Sequence, residues 1–308
     1  MSGGPEKLKG RVLRSVGGVY EVEVEVGGET LRCALRGRLK RKRGIGRVAV
    51  GDEVEVDRLA DGSCVISELL PRSARLSRRS ADGRREQIIA ANVDRLAAVF
   101  SVARPEPVFE LLDRFLVLAE SSEIAAFIVV NKIDLAGPEE VDERFLLYGE
   151  IGYPVLYTSA KERRGLEELG DRLADHITLF VGPSGAGKSS LLNALQPGLG
   201  LRVGEISEAI ERGRHTTVAA ALHRLDAGGY VVDTPGLGNV KFWEVGTHEL
   251  AWGFPEFRPY LGDCKFQDCS HVHEPGCAVI GALEAGELSS WRYGSYVKFL
   301  REGSERVS

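Results

Sequence analysis

The stretch "FVGPSGAGKSSLLNAL", Phe180 to Leu195, constrains this chain more than any other. Gly182 to Ser189 satisfy G-x-x-x-x-G-K-[ST]. The apolar run before them reads as a strand and "SSLLNAL" after them as a helix. Such a loop wraps its backbone N–H groups around phosphate oxygens, and the helix N-terminus adds the positive end of its dipole. Gly182, Pro183, Ser184, Gly185, Ala186 and Gly187 are the expected cradle. Lys188 is expected to reach the β- and γ-phosphates, Ser189 to bind Mg²⁺, and Ser190 to complete the set.

A loop of this kind needs a base-reading partner, and the candidate lies earlier in the chain. "VVNKIDL", Val129 to Leu135, follows an apolar strand. The Asp134 carboxylate can accept from both the ring N–H and the amino group of guanine, whereas adenine presents a ring acceptor there. Asn131 would tie this loop to the phosphate loop, and the Lys132 stem would cover the base. "TSAK", Thr158 to Lys161, follows the next strand. There Ser159, Ala160 and Lys161 complete the base pocket, with the Ala160 N–H facing the guanine carbonyl. "DTPG", Asp233 to Gly236, ends another apolar run. Asp233 can hold Mg²⁺ through water, and the Gly236 N–H can sense the γ-phosphate. Between them lies "ERGRHTTVAA", where Thr217, or alternatively Thr216, supplies a second Mg²⁺-linked hydroxyl.

The loops therefore run in the order base, base, phosphate, switch, switch. In an open α/β sheet they all lie at the carboxyl ends of strands, so a cut elsewhere in the chain reorders them without moving them in space. The expected central domain is a circularly permuted α/β nucleotide-binding domain. The alternation of "RLAAVFSV", "AAFIVVN", "PVLYTSA", "ITLFVG" and "YVVDTPG" with amphipathic helices at 110–122 and 164–176 agrees, predicting a parallel sheet covered on both faces.

The flanks differ in kind. At about 100–200 residues per domain, 308 residues suggest two or three domains. Residues 10–70 hold short alternating segments with glycine-rich turns. In "VYEVEVEV", Tyr20, Val22, Val24 and Val26 are expected to face a core and Glu21, Glu23 and Glu25 to face water. "ETLRCAL", "EVEVDRL" and "CVISELL" read as further strands. Strands without helices predict a small β-barrel, OB-type in first choice and SH3-like in second. "PRSARLSRRSADGRREQ" is polar, basic and aperiodic, and reads as a linker. After Trp243 the tail reads as helical. The expected boundaries are 1–72 barrel, 73–90 linker, 91–243 nucleotide domain and 244–308 C-terminal domain.

That last domain carries Cys264, Cys269, His271 and Cys277. Three thiolates and an imidazole suit a closed tetrahedral Zn²⁺ site, with His273 as an alternative fourth ligand. Cys33 and Cys64 are expected in the barrel core. His176, His223 and His248 show no partner pattern. The longest apolar run, Ile124 to Val130, is too short to span a membrane, and "MSGGPEKLKG" lacks the apolar core of a signal peptide. Five cysteines with three clustered late fit a reducing cytoplasm and a metal site. Net charge is −5, but the N-terminal part is basic, with its densest patch at "GRLKRKRG", which is a solvated loop unless a phosphate-rich partner meets it.

On residues alone, then, the chain is a Mg²⁺-dependent GTP-binding domain between two small modules. A phosphotransferase on a small acceptor would need an acceptor pocket, which no segment suggests. An RNA scaffold with a vestigial site would not need Lys188, Ser189 and Asp233. The motif order, with "VGDEVEV", "IAANVDRLAAVFSV", "ISEAIERGRHTT" and "CKFQDCSHVHEPGCAV", resembles the circularly permuted ribosomal GTPases of the RsgA/YjeQ family over nearly the whole length. The resemblance implies a cytoplasmic, monomeric GTPase acting in late assembly of the small ribosomal subunit. It implies contacts with 16S-type rRNA, GTP/GDP turnover stimulated by that subunit, and one Zn²⁺ on Cys264, Cys269, His271 and Cys277. Position 237, just after the DxxG motif, is leucine, which cannot orient water. His215 in the switch segment is the expected catalytic group, a role the resemblance supports.

Overall fold

The computed structural model describes residues 6–37, 39, 48–79, 86–137, 141, 143–201, 220–233 and 247–304. Five strands come first: β1 (Glu6–Val16), β2 (Val19–Val24), β3 (Thr30–Leu35), β4 (Glu53–Arg58) and β5 (Cys64–Leu69). They close as β1-β2-β3-β5-β4, with β4 returning antiparallel to β1 and β3 running parallel to β5. That parallel pair and closure are the OB arrangement, and an SH3-like chain of successive antiparallel strands is set aside. Val12, Val22, Val24, Val54, Val56 and Ile66 fill the interior. Cys33 and Cys64 are cross-strand partners in this core, and burial pushes the Cys33 thiol up to about 12.

Two expectations within β2 need correction. The strand ends at Val24, and Val26 is 80% exposed rather than inward. Glu23, expected in water, is buried, because a strand of the next domain covers it. Period two places a side chain on a face; it does not say what that face meets.

Residues 73–90 also depart from an aperiodic linker. They contain β6 (Arg75–Arg79) and β7 (Glu86–Ala91), an antiparallel pair. Leu76 and Ala90 are fully buried against Val50 of the barrel and Phe100 of the next domain's sheet. Asp52 accepts from Arg72 Nε and Nη2 at 2.6 and 2.7 Å, and Asn92 Nδ2 donates to the Gly51 carbonyl at 3.0 Å. The hairpin fastens the barrel to the sheet.

The sheet consists of β8 (Arg95–Ser101), β9 (Ala125–Asn131), β10 (Val155–Tyr157), β11 (Ile177–Val181), β12 (Ala221–Arg224) and β13 (Tyr230–Asp233). Its order is β10-β9-β8-β11-β13-β12, all parallel except β12. Strand β12 was not anticipated: "ALHR" is four residues long and half polar. The alternation is read by two cores. Leu96, Ala98, Phe100, Ile128 and Val130 pack toward α1 (Phe109–Ser121) and α2 (Arg144–Ile151). Ala97, Val99, Phe127 and Val129 pack toward α3 (Leu166–Leu173) and α4 (Lys188–Leu195). In α3, Leu166, Leu169 and Leu173 form the inward stripe that 3.6-residue spacing requires.

The C-terminal part is α5 (Thr247–Trp252), a 3₁₀ turn at Pro255–Tyr260, α6 (Ala278–Glu284) and α7 (Ser290–Ser304). Phe254, Phe257, Tyr296 and Phe299 form its core together with Val117 of α1. The fully buried Arg292 donates to Asp113 of α1 at 2.5 Å and to Glu256 at 2.6 and 3.0 Å. Around that pair, Arg114–Glu302 and Lys298–Glu110 join α1 to α7, and Arg258–Glu120 joins the 3₁₀ turn to α1. Trp291 packs edge-on to Phe109 and Tyr148.

Candidate nucleotide site and metal centre

The carboxyl ends of β8, β9, β10, β11 and β13 lie along one edge of the sheet, and there the separated motifs meet. Gly182 leaves β11 at φ +140°, where a Cβ would stand 2.0 Å from the Val99 carbonyl oxygen of β8. The turn begins on the neighbouring strand's backbone, and only glycine fits. Gly187, at φ +94°, caps α4 where a Cβ would stand 2.3 Å from Asn131 Nδ2. That space is needed because Asn131 Nδ2 donates to the Ala186 carbonyl at 2.9 Å, stitching the base loop to the phosphate loop. The Asn131 side-chain oxygen in turn accepts from Thr158 Oγ1 at 3.3 Å. Pro183 and Ser190 are half-buried, Ser184 and Gly185 exposed at the crest, and Ser189 buried at the helix start.

Lys188 Nζ folds back onto the carbonyls of Gly182 and Pro183, at 2.7 and 2.9 Å. Burial lowers its pKa to about 8, against the pull of Asp233. Asp233, at the end of β13, is shifted upward by burial, opposed by His223 and Lys188. The two groups thus act on each other's charge across a partly buried site, and each is shifted toward its neutral form by burial.

The base side is equally connected. Ser159 Oγ donates to Asp134 Oδ1 at 2.6 Å, and Lys161 Nζ lies 3.8 Å from Oδ2. The serine bond first, then a backbone N–H, and then Lys161 and Lys132, hold the Asp134 carboxyl below its usual range. It stays ionised, the form that accepts two bonds. Ser159 is fully buried and Ala160 half-buried on the inner core. Lys132 adopts left-handed backbone, and its Nζ donates to the Arg104 carbonyl. The loop after β8, which sequence reasoning passed over, thus backs both motifs: Pro105 also lies against Gly185. Its signal was "ARPEP", a proline-rich turn at a strand's carboxyl end. His215, Thr216, Thr217 and Gly236 lie outside the described residues.

The second centre lies in the C-terminal module. One ligand atom each from Cys264, Cys269, His271 and Cys277 falls within 4.8 Å of the others. Cys264 Sγ is 3.8 Å from Cys277 Sγ, and His271 Nδ1 is 3.4 Å from each of the two. A tetrahedron with metal–sulfur bonds of about 2.3 Å has edges near 3.8 Å, so the set fits Zn²⁺. His273 is not in this cluster. Burial pushes the Cys269 thiol up to about 12, a proton that a bound cation would displace. The knuckle is held from outside. Tyr293 and Tyr296 hydroxyls donate to the carbonyls of His271 and Ser270. Glu274 accepts from the Ser270 N–H at 2.8 Å.

Residues 69–243 match the family model described as RsgA GTPase, and residues 9–66 match the RsgA N-terminal domain. The chain belongs to the RsgA GTPase family. A Gemmatimonas aurantiaca protein named small ribosomal subunit biogenesis GTPase RsgA is 47% identical over 297 residues, covering 95% of this chain and 96% of its own. A Moorella thermoacetica protein of the same name is 43% identical over 295 residues, covering 96% and 97%. Among solved structures, YjeQ from Thermotoga maritima superposes with a TM-score of 0.81 at 38% identity, over 97% of this chain and 99% of that one. YloQ, described as a circularly permuted GTPase, gives 0.76 at 33% identity, over 98% and 96%. The RsgA family fold, with barrel, permuted GTPase domain and cysteine/histidine cluster, is therefore the fold of this chain. No helix among the described residues is long and apolar enough to cross a membrane.

Proposed function

We propose that this RsgA-family GTPase binds the small ribosomal subunit in the cytoplasm and couples GTP hydrolysis to that subunit's late maturation. The observation that carries the nucleotide reading is the Asn131 bond to the phosphate loop, with Asp134 held ionised in the same loop. It joins a guanine reader to a phosphate cradle in one frame. The ribosomal part rests on the printed names of the relatives. In this reading Gly182–Ser190 hold the phosphates. Asn131, Lys132, Asp134, Ser159, Ala160 and Lys161 read the base. Ser189 and Thr217 ligate Mg²⁺, Asp233 holds it through water, and Gly236 contacts the γ-phosphate. Bound Mg²⁺ would neutralise phosphate charge as the bond to the leaving group breaks. Zn²⁺ on the four-residue cluster would have a structural role, since four protein ligands fill a tetrahedron and leave no position open. The barrel's basic surface would grip rRNA phosphates, mainly for affinity. The division into 1–72, 91–243 and 244–308 is retained, with the hairpin between the first two acting as a fastener.

The test is phosphate release from GTP and from ATP, with and without small subunits. GTP alone should be turned over, slowly, and the subunits should accelerate it by about 10³–10⁵-fold, the size of effect that ordering a catalytic group produces. His215→Ala should abolish the acceleration while GTP affinity is kept. Full acceleration in that variant removes the histidine from the mechanism, and equal use of ATP removes the whole reading.

Lys188 adds a pH dependence. Its pKa is about 8 before binding, and phosphate oxygens would raise it. Nucleotide therefore prefers the protonated form. Affinity should be greatest below pH 8 and fall as pH rises through 8 toward the higher, bound-state pKa. At pH 8 binding should take up about half a proton. Calorimetry in two buffers of different ionisation enthalpy measures that uptake; proton release would contradict it.

A further inference from the structure

The strand pair β12–β13 belongs to the nucleotide domain, yet its outer side is held by the barrel. A row of cross-strand partners begins at Arg14 of β1, passes through Ala221 of β12 and ends at Asp233, the last residue of β13. Among the described residues, the ladder between β1 and β12 is confined to that one pair. It alone would hold the hairpin weakly. The stronger hold is Glu23 of β2, whose carboxylate accepts from Arg224 Nη1 at 2.8 Å and from the Tyr230 hydroxyl. Arg224 and Tyr230 are themselves partners across β12 and β13, so one carboxylate spans both strands. The Arg11 guanidinium lies 5.3 Å from the Tyr230 ring and completes the clasp. Glu23 is 9% exposed, and burying a polar side chain costs less when such partners satisfy it. His223, between the clasp and the site, lies within electrostatic reach of both Arg14 and Asp233.

We propose that Glu23 is a positioning residue for the magnesium end of the nucleotide site: by clasping Arg224 and Tyr230 it sets the β12–β13 hairpin and, through it, Asp233. The barrel is then part of the nucleotide site's frame as well as a neighbouring module. A force on the barrel reaches Asp233 through two strands, without passing through the zinc module. The inference rests on the proposed role of Asp233 toward Mg²⁺. Glutamine keeps one acceptor oxygen for Arg224 and turns the other into an amide NH2 that can donate to the Tyr230 hydroxyl oxygen, so it should preserve the clasp's geometry where alanine should not.

The test is the dissociation constant of a fluorescent GDP analogue, measured in Mg²⁺ and in EDTA on the full chain. Glu23→Ala should weaken binding about three- to tenfold in Mg²⁺ and leave the EDTA value unchanged. Glu23→Gln should stay within about twofold of the parent in both. Tyr230→Phe, which removes one bond and keeps the ring, should show a smaller weakening confined to Mg²⁺ and serves if the alanine variant does not fold. Equal weakening in Mg²⁺ and EDTA, or none in either, overturns the assignment. A parent protein whose GDP binding ignores Mg²⁺ overturns the proposed function of the site itself, and this inference with it.

Discussion

Replacing Asp134 by alanine is expected to abolish the preference for GTP over ATP. In the proposed reading the ionised carboxylate accepts from two guanine N–H groups, and charge-assisted bonds contribute about 1.5–3 kcal/mol each. GTP affinity should therefore fall by about 10²–10⁴-fold. ATP affinity should change little, because the Gly182–Ser190 loop reads only phosphates. The effect reaches a second residue. Ser159 Oγ donates to Asp134, so the variant leaves a fully buried hydroxyl without that acceptor. Competition binding with GTP, ATP and XTP on Asp134→Ala and Asp134→Asn separates these contributions. Asparagine offers one acceptor and one donor, and should turn preference toward xanthine, whose ring carbonyl accepts where guanine's amino group donates. Retained GTP selectivity in the alanine variant would remove Asp134 from base reading and leave the two converging motifs without their chemical purpose.

The largest expected stability effect lies away from the nucleotide. Arg292→Ala should destabilise the chain by about 3–5 kcal/mol, the usual result of stranding buried charge. Arg292 is fully buried between Asp113 and Glu256, and the Tyr148 hydroxyl also donates to Asp113. Burial alone would lower the guanidinium's pKa; Asp113 and Glu256 reverse that and raise it, so it is charged throughout the accessible pH range. Removing it leaves the Asp113 and Glu256 carboxylates without the cation they share. Asp113 Oδ2 already lacks a hydrogen-bond partner among the described residues, so the network has no spare donor. Replacing Arg292, Asp113 and Glu256 together by apolar residues of similar volume should recover most of the loss. Urea denaturation followed by tryptophan fluorescence suits the measurement, because Trp291 packs at the same seam. A single variant within about 0.5 kcal/mol of the parent would mean that the seam opens to water.

That seam also bears on how a nucleotide signal could leave the site. The C-terminal module follows DTPG in the chain, and covalent proximity suggests that the γ-phosphate state swings it. The structure sets that module on α1 with a buried ion pair, three further salt bridges and a shared apolar core. A rigid-body swing would have to expose Arg292 and Asp113 together. The barrel's hold on β12–β13 is one ladder pair and the Glu23 clasp.

Much of this was legible in the residues because local physics repeats. Glycines at phosphate-loop spacing, an aspartate after a buried strand and three cysteines with a histidine each announce their chemistry within a few positions. The permuted order followed from one geometric rule, that loops at strand carboxyl ends keep their place when the chain is cut elsewhere. That this strand is buried on both faces was equally visible in its unbroken apolar run, Leu96 to Phe100.

By itself the sequence determined which loops exist, what chemistry each carries and that the sheet is buried on both faces. Those properties depend on neighbours a few residues apart. Tertiary structure alone decided that Glu23 is buried rather than solvated, that Arg75–Arg79 and Glu86–Ala91 pair as strands docked through Leu76 and Ala90, and that Arg292 pairs with Asp113. Each of these joins segments far apart in the chain. Whether a charge at such a place is solvated or locked depends on which surface covers it, and period and composition carry no record of that surface.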